Sequence, residues 1–314
     1  VLGSDSVHTA IYRSKLYWLW GDTNRPRYPL GNFHVTMATS PFPKKGEPPP
    51  VDGVNFTYFT DKDGFARKMA PMAGKGPTWL GAMLTLQDKK GKDRLVATYV
   101  KVRKSMEVYE AGLCEFNPEK KFFEKRFTFP NPKRLRPNGH PLRHRVNGRN
   151  WVYCGSTLPD MRFPDNYESW LDPSTYEVVK ADANFTDTEG NGVKRHHGHV
   201  TWNPWRKHWV SIFTQSWAKP SFLGEIWYAE APAPEGPWRK AVKIMTHDRY
   251  SFYNPMQHPY WAEDNGRVIY FEGTYTMAFS GNRNPTPRYD YNQILYRLDL
   301  SDPRLRFAQV DSSP

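Results

Sequence analysis

The sequence predicts an all-β chain folded as a five-bladed β-propeller with four antiparallel strands per blade. Three observations lead there. Strongly aromatic short strands recur along the chain, at Tyr17-Trp18-Leu19-Trp20, Leu95-Val96-Ala97-Thr98-Tyr99, Trp151-Val152-Tyr153-Cys154, Trp209-Val210-Ser211-Ile212-Phe213 and Val268-Ile269-Tyr270-Phe271, each after a short apolar-polar strand and a polar turn. Equivalent points keep a fixed interval: 59 residues from His140 to His199 (199 − 140), 59 from His199 to His258 (258 − 199), 59 from Gly81 to His140 (140 − 81), and 73 from His8 to Gly81 (81 − 8). Finally, 28 prolines and 22 glycines put a turn signal every few residues and leave little room for helices.

The first unit spans about 8–60, with strands expected near 8–12, 15–21, 33–39 and 54–60. Its 22–32 connection is too long and Pro-rich for a tight hairpin and reads as a loop of the propeller mouth. The second unit takes 81–127, where the charge runs 88–94 and 119–121 read as solvated hairpin turns. The third covers 140–180 and the fourth 197–243. The fifth runs 257–310, with strands near 292–299 and 306–310. The repeat runs from end to end, so residues 1–314 read as a single domain.

Aromatics at 15% suit wide sheets packed face to face through large rings, and the net charge of +12 points to an anionic partner. Nucleic acid fits poorly, because the basic residues scatter over hairpin turns and no binding module is recognisable. No apolar run approaches membrane-spanning length. Cys114 and Cys154 fall at non-equivalent repeat positions and read as free thiols. The chain begins at Val1, from which a removed secretory leader and a secreted or periplasmic location are expected.

In a propeller blade the second strand returns to the face where the first began. The four repeating histidines, His8, His140, His199 and His258, are thus expected at the start of innermost strands, converging on the central channel. One divalent metal ion held by these four imidazoles is one use of such a ring; a hydrogen-bonded set without metal is the other. His197 shares a strand face with His199.

Asp22 lies 14 residues after His8 and Glu272 14 after His258, equivalent places at the ends of second strands. Glycoside hydrolysis needs a protonated acid and a second carboxylate. Glu272, among Tyr270, Phe271 and Tyr275, has the apolar setting of an acid, whereas Asp22, beside Thr23 and Asn24, has a polar setting that keeps it ionised; Asp5 is the other candidate base. Hydrogen bonds to turn amides are the alternative for each. Arg143 and Arg145 share a face of an inner strand and need a protein carboxylate or a ligand, and Arg195 precedes His196-His197. Trp79 and Trp217 offer flat faces for a sugar or for packing between blades. Glu225 and Gln257 complete the candidate substrate-binding set.

The segments Ile11-Tyr12-Arg13-Ser14-Lys15-Leu16-Tyr17-Trp18-Leu19-Trp20-Gly21 and Ile226-Trp227-Tyr228-Ala229, followed by Pro234-Glu235-Gly236-Pro237-Trp238, resemble the blade patterns of five-bladed glycoside hydrolases of the arabinanase and xylosidase type. Leu19-Trp20-Gly21-Asp22-Thr23 is similar to a hydrophobic-Phe-Gly-Asp-Thr segment of a propeller group that includes arabinan-degrading enzymes. The resemblance covers the whole chain in rhythm but only these pieces in letters. It implies hydrolysis of a carbohydrate. In that group an Asp opens the first inner strand as catalytic base; here His8 takes the place, with Asp5 nearby, and His140 stands where an Asp is frequent in the third blade. The group's catalytic set therefore does not transfer directly. Related hydrolases with a histidine acid, and propeller lyases using His, Tyr and Arg on uronates, would suit a basic, His-rich mouth.

Three functions follow as expectations. The first is a glycoside hydrolase acting on an acidic or sulfated oligo- or polysaccharide, with Glu272 as acid, Asp22 or Asp5 as base, and Arg143 and Arg195 on the anion. The second is a metal-assisted polysaccharide lyase in which His197 abstracts the proton α to a carboxylate. The third is a carbohydrate-binding propeller without catalysis.

Overall fold

The computed structural model describes residues 3–24, 34–44, 46–219, 221–278, 280–284 and 290–310. Most of the expected 22–32 mouth loop lies outside them. The chain clusters into two compact units, residues 1–42, 53–154 and 161–178 in one and 43–52, 155–160 and 179–314 in the other.

The first unit opens with β1 (Gly3–Ser4), β2 (His8–Tyr12), β3 (Lys15–Trp20), β4 (Thr23–Asn24), β5 (Thr36–Pro41) and β6 (Thr57–Tyr58). Strands β2, β3, β5 and β6 form a four-stranded sheet in chain order, and β1 pairs with β4 in a separate ribbon. The second sheet comprises β7 (Thr78–Gln87), β8 (Asp93–Arg103), β9 (Glu107–Asn117) and β10 (Phe122–Thr128). The third comprises β11 (Leu142–Val146), β12 (Arg149–Cys154), β13 (Met161–Pro164) and β14 (Glu177–Val178). All neighbours within these sheets are antiparallel. Asn147-Gly148 joins β11 to β12 with φ of 49° and 77°, the left-handed two-residue turn whose twist matches that of the strands.

The expected aromatic strands are the second strand of each sheet. Leu19, Met37, Leu80, Leu95 and Phe116 pack the first sheet on the second, and Leu84, Val96, Leu113, Val152, Phe163 and Trp170 pack the second on the third. Burying one such side chain stabilises by about 2–3 kcal/mol. Both cysteines are buried free thiols, as the sequence suggests, and burial pushes the Cys114 thiol up.

The second unit holds β15 (Ala183–Thr186), β16 (Arg195–Asn203), β17 (His208–Gln215), β18 (Glu225–Ala231) and β19 (Trp238–Thr246), then β20 (Ser251–Gln257), β21 (Val268–Thr276) and β22 (Asn292–Asp299). Strands β16 to β19 run in chain order, and β15 adds to the outer edge of β19 in parallel, an addition the repeat does not foresee. The last sheet has three strands, β20 to β22. The expected strand at 306–310 is instead a 3-10 helix, Pro303–Ala308, because Asp302 caps the Arg304 amide and Pro303 opens the turn. Val210, Ile212, Tyr228, Phe252 and Phe271 pack the two sheets together.

The histidines do not share one place in their strands. His8 opens β2, His140 precedes β11, His199 lies mid-way along β16, and His258 follows the end of β20. What recurs is a backbone kink at or just before the innermost strand. Ser6, Ala82, Gly139 and Asn254 all have left-handed φ, of 52°, 46°, 61° and 53°. In β7, β16 and β20 the pairing gains one residue, between Gly81 and Leu84, Arg195 and Gly198, and Tyr253 and Met256. The interval is 57 from Ala82 to Gly139 (139 − 82), 57 from Gly139 to His196 (196 − 139) and 58 from His196 to Asn254 (254 − 196). The 59-residue histidine spacing therefore drifts along the strands. Such bulges bend a strand and re-aim its side chains, frequently beside active sites.

Candidate functional site

In the first unit the ribbon of β1 and β4 brings Asp5 and Asp22 together. The Asp5 amide donates to the Asp22 carbonyl at 3.1 Å and the Gly21 amide to the Asp5 carbonyl at 2.7 Å. Gly21 leaves room for the acid, since a Cβ there would lie 2.1 Å from Asp5 Oδ1. Asp22 is half-buried, and Trp79 Nε1 donates to its Oδ1 at 2.6 Å. Loss of water, and next the negative charge of Asp5, push the Asp22 carboxyl up to about 7, against the pull of the Trp79 hydrogen bond. This reverses the sequence expectation: Asp22 sits not in a polar setting that keeps it ionised but in one that favours its proton. Trp79, expected as a sugar platform, uses its indole edge to hold Asp22 while packing on the core of the first two sheets.

His8 and His140 lie ring against ring at 4.7 Å. Arg143 and Arg145 are exposed, not on a buried strand face. Arg143 finds a protein partner in Asp165 (2.8 Å) and donates to the Thr85 carbonyl (2.5 Å), which corrects its assignment to an anionic ligand.

In the second unit the β16 bulge carries His196 and His197, with ring centroids 4.3 Å apart. His197 keeps an exposed surface but its ring is crowded, and loss of water, followed by repulsion from His196, pushes it down to about 4; the same loss lowers His196. Both imidazoles are neutral at pH 7. Arg195, His196 and Lys194 line a depression of about 650 Å³ with Ser156, Thr157 and Asn184. Among the described residues no carboxylate pairs with Lys194 or Arg195. Trp217, 71% exposed, is held at φ 62° against the edge of Phe222 (4.7 Å), with Lys194 Nζ 5.9 Å from its ring.

Glu272 lies on β21 with its Oε1 3.0 Å from His258 Nε2, and His258 Nδ1 is 2.5 Å from the Tyr260 hydroxyl. Two other candidates are corrected. Glu225 is buried and spent on Lys243 (2.8 Å). Gln257 is buried with its polar atoms used: its Nε2 donates to the carbonyls of His199 (2.6 Å) and Val210 (3.1 Å), its Oε1 accepts from Thr201, and its amide donates to His199 Nδ1 (3.0 Å).

The same bonds decide how two of the histidines suit a metal. His199 Nδ1 accepts an N–H, so the ring proton sits on Nε2, which donates rather than ligates. His258 faces a carboxylate through Nε2 and a hydroxyl through Nδ1. Among the described residues no group of three or more His, Cys, Asp or Glu side chains is arranged to hold a divalent ion.

Sequence reasoning missed Tyr260 and Lys194. The signal for Tyr260 was its place two residues after His258, with Pro259 opening a 3-10 turn that folds it back. Lys194 was legible as the neighbour of Arg195.

The chain is similar in structure to an exo-β-1,3-galactanase from Phanerochaete chrysosporium bound to β-1,3-galactotriose (TM-score 0.58, 11% identity, 96% of this chain and 61% of that one). It is also similar to an exo-β-1,3-galactanase from Clostridium thermocellum (TM-score 0.54, 10% identity, 95% and 60%) and to an exo-1,5-α-L-arabinanase from a bovine ruminal metagenomic library (TM-score 0.52, 12% identity, 95% and 92%). The chain thus spans about 61% of the length of the fungal galactanase. At these identities the likeness is one of fold. No family model and no curated protein sequence matches the chain.

Proposed function

We propose that this protein is a glycoside hydrolase in which Asp22 is the proton donor to the leaving oxygen and Asp5 the second carboxylate. The observation that carries the reading is the Asp5–Asp22 pair, with Asp22 raised to about 7. A glycosidic oxygen is a poor leaving group until protonated, and an acid works best with a pKa near ambient pH, where it is both loaded and willing to give up the proton. Asp5 supplies the like charge that helps keep the proton on Asp22, and Trp79 fixes the Asp22 carboxyl. Once the proton has gone, repulsion between two carboxylates favours its return. The fold shared with galactanases and an arabinanase supports a carbohydrate substrate, and the sheets described above are read as five blades.

The substrate is proposed to be anionic, sulfated or uronate-containing. Lys194 and Arg195 without a carboxylate partner among the described residues, the exposed Trp217 face and the net charge of +12 support that reading. A polymeric substrate fits a secreted or periplasmic enzyme.

The test is incubation with neutral, sulfated and uronate-containing oligosaccharides, followed by product analysis. New reducing ends, reduced at least a hundredfold in Asp22→Asn, are expected. An unsaturated product absorbing in the ultraviolet would mean elimination by a lyase, and binding without turnover would mean a lectin; either overturns the reading.

A further inference from the structure

Glu272, expected from sequence to be the acid, has a different environment from Asp22. Its side chain is 12% exposed, and among the described residues its only polar partner is His258, whose own side chain is wholly buried. A carboxylate can accept about four hydrogen bonds. Its cross-strand neighbours, Met256 on β20 and Leu295 on β22, offer no side-chain donor. A buried carboxylate oxygen with no hydrogen-bond donor is costly unless something else supplies one.

The contact of Glu272 Oε1 with His258 Nε2 at 3.0 Å lacks hydrogen-bond geometry, so the buried Oε1 has no hydrogen-bond donor among the described residues. On its other side His258 Nδ1 shares a hydrogen bond of 2.5 Å with the Tyr260 hydroxyl, which ties Tyr260 to the ring that faces Glu272. The imidazole is held by Trp261, ring centroids 4.9 Å apart, while the His258 amide donates to the Tyr270 carbonyl at 2.8 Å and the Trp261 amide to the His258 carbonyl at 3.0 Å. Tyr260, half-buried, packs at 5.0 Å on the same indole. Two aromatic rings and two main-chain bonds leave His258 one orientation, which aims Glu272.

We propose that Glu272 is a hydroxyl-binding carboxylate for a polyhydroxylated ligand, with His258 and Tyr260 as positioning residues. Its unused acceptor positions match hydroxyl donors, and an O–H to carboxylate bond is the strong, charge-assisted kind. Ammonium and guanidinium groups already on the chain do not take this place among the described residues, since the ion pairs of Glu272 consist of His258 alone. The choice of a sugar as the polyol rests on the hydrolase reading; the acceptor site itself does not.

The experiment uses the Asp22→Asn protein, in which binding is separated from turnover, and titrates a neutral, a sulfated and a uronate-containing trisaccharide by calorimetry. At least one is expected to bind. Adding Glu272→Gln should weaken it about tenfold or more, the loss of one charge-assisted hydrogen bond. Adding Tyr260→Phe, a half-buried change that deletes only a hydroxyl, should weaken it about threefold with an unchanged Tm, a split that a purely structural role would not produce. Unchanged affinity in both variants, or no binding by any of the three, overturns the proposal. The hydrolase reading fails separately, when the wild-type protein binds one of these sugars and releases no product.

Discussion

Replacing Asp22 by Asn should stabilise the protein, and by an amount that grows with pH. The folded state raises the Asp22 carboxyl from 3.8 to about 7. A raised carboxylate binds its proton more tightly folded than unfolded, so its stability contribution is present below about 4 and is lost as pH rises to about 7. For a shift of that size linkage gives a cost of about 1.7 kcal/mol at pH 5 and about 4.4 kcal/mol at pH 9. Asn has nearly the same shape, can still accept the Trp79 hydrogen bond, and carries no charge at either pH. Urea unfolding of both proteins should therefore show the advantage of Asn increasing by about 3 kcal/mol between pH 5 and pH 9. The same variant should lose activity, the trade between stability and function seen where an active site holds a group in an unfavourable state. An advantage that is the same at both pH values would remove the raised carboxyl on which the proposed acid depends.

Three further outcomes are expected. Trp79→Phe removes a hydrogen bond that favours the charged form of Asp22, so the pH at which activity falls should move upward, by up to about one unit, in the pH profile of kcat/KM. Gly198→Ala would set a Cβ 2.5 Å from Phe213 Cβ and 2.6 Å from the Ile212 carbonyl, where β16 leaves its bulge; a loss of about 2 kcal/mol and a lower Tm should follow, read by thermal unfolding. Lys243→Ala leaves Glu225, 4% exposed, without its ammonium and should cost about 2 kcal/mol in urea unfolding, moderated by the 43% exposure of Lys243; an unchanged stability would reopen Glu225 as a ligand group.

The fold was legible because its signals are local. Aromatic second strands, Asn147-Gly148 and frequent prolines read directly as short antiparallel strands, and most expected strands lie within a few residues of the observed ones. The end of the chain misled because Asp302-Pro303 is a helix start inside a segment whose period suggested a strand. The histidine repeat found a real period but not its cause. The kinks at Ser6, Ala82, Gly139 and Asn254 involve four different residue types, so no single letter could mark them.

The candidate site divides the same way. Asp5, Asp22, Arg195 and Trp217 were chosen from position and residue type, and these survive as the proposed groups. Arg143, Glu225 and Gln257 were chosen by the same reasoning and prove to be bonded to Asp165, Lys243 and the His199–Val210 main chain, partners set by tertiary packing. The surroundings of Asp22 were misjudged for that reason too. Neighbours in sequence made Asp22 look solvated, whereas Trp79, 57 residues away, and the opposing Asp5 define its surroundings.

The most direct measurement is the pH dependence of kcat/KM for hydrolysis of a glycan the protein cleaves, with products analysed at each pH. New reducing ends without ultraviolet-absorbing product, a rate falling about tenfold per pH unit above about 7, and a loss of at least a hundredfold in Asp22→Asn are expected if Asp22 delivers the proton. A rate that holds level from pH 6 to pH 9, or an Asn variant as active as the wild type, would contradict it.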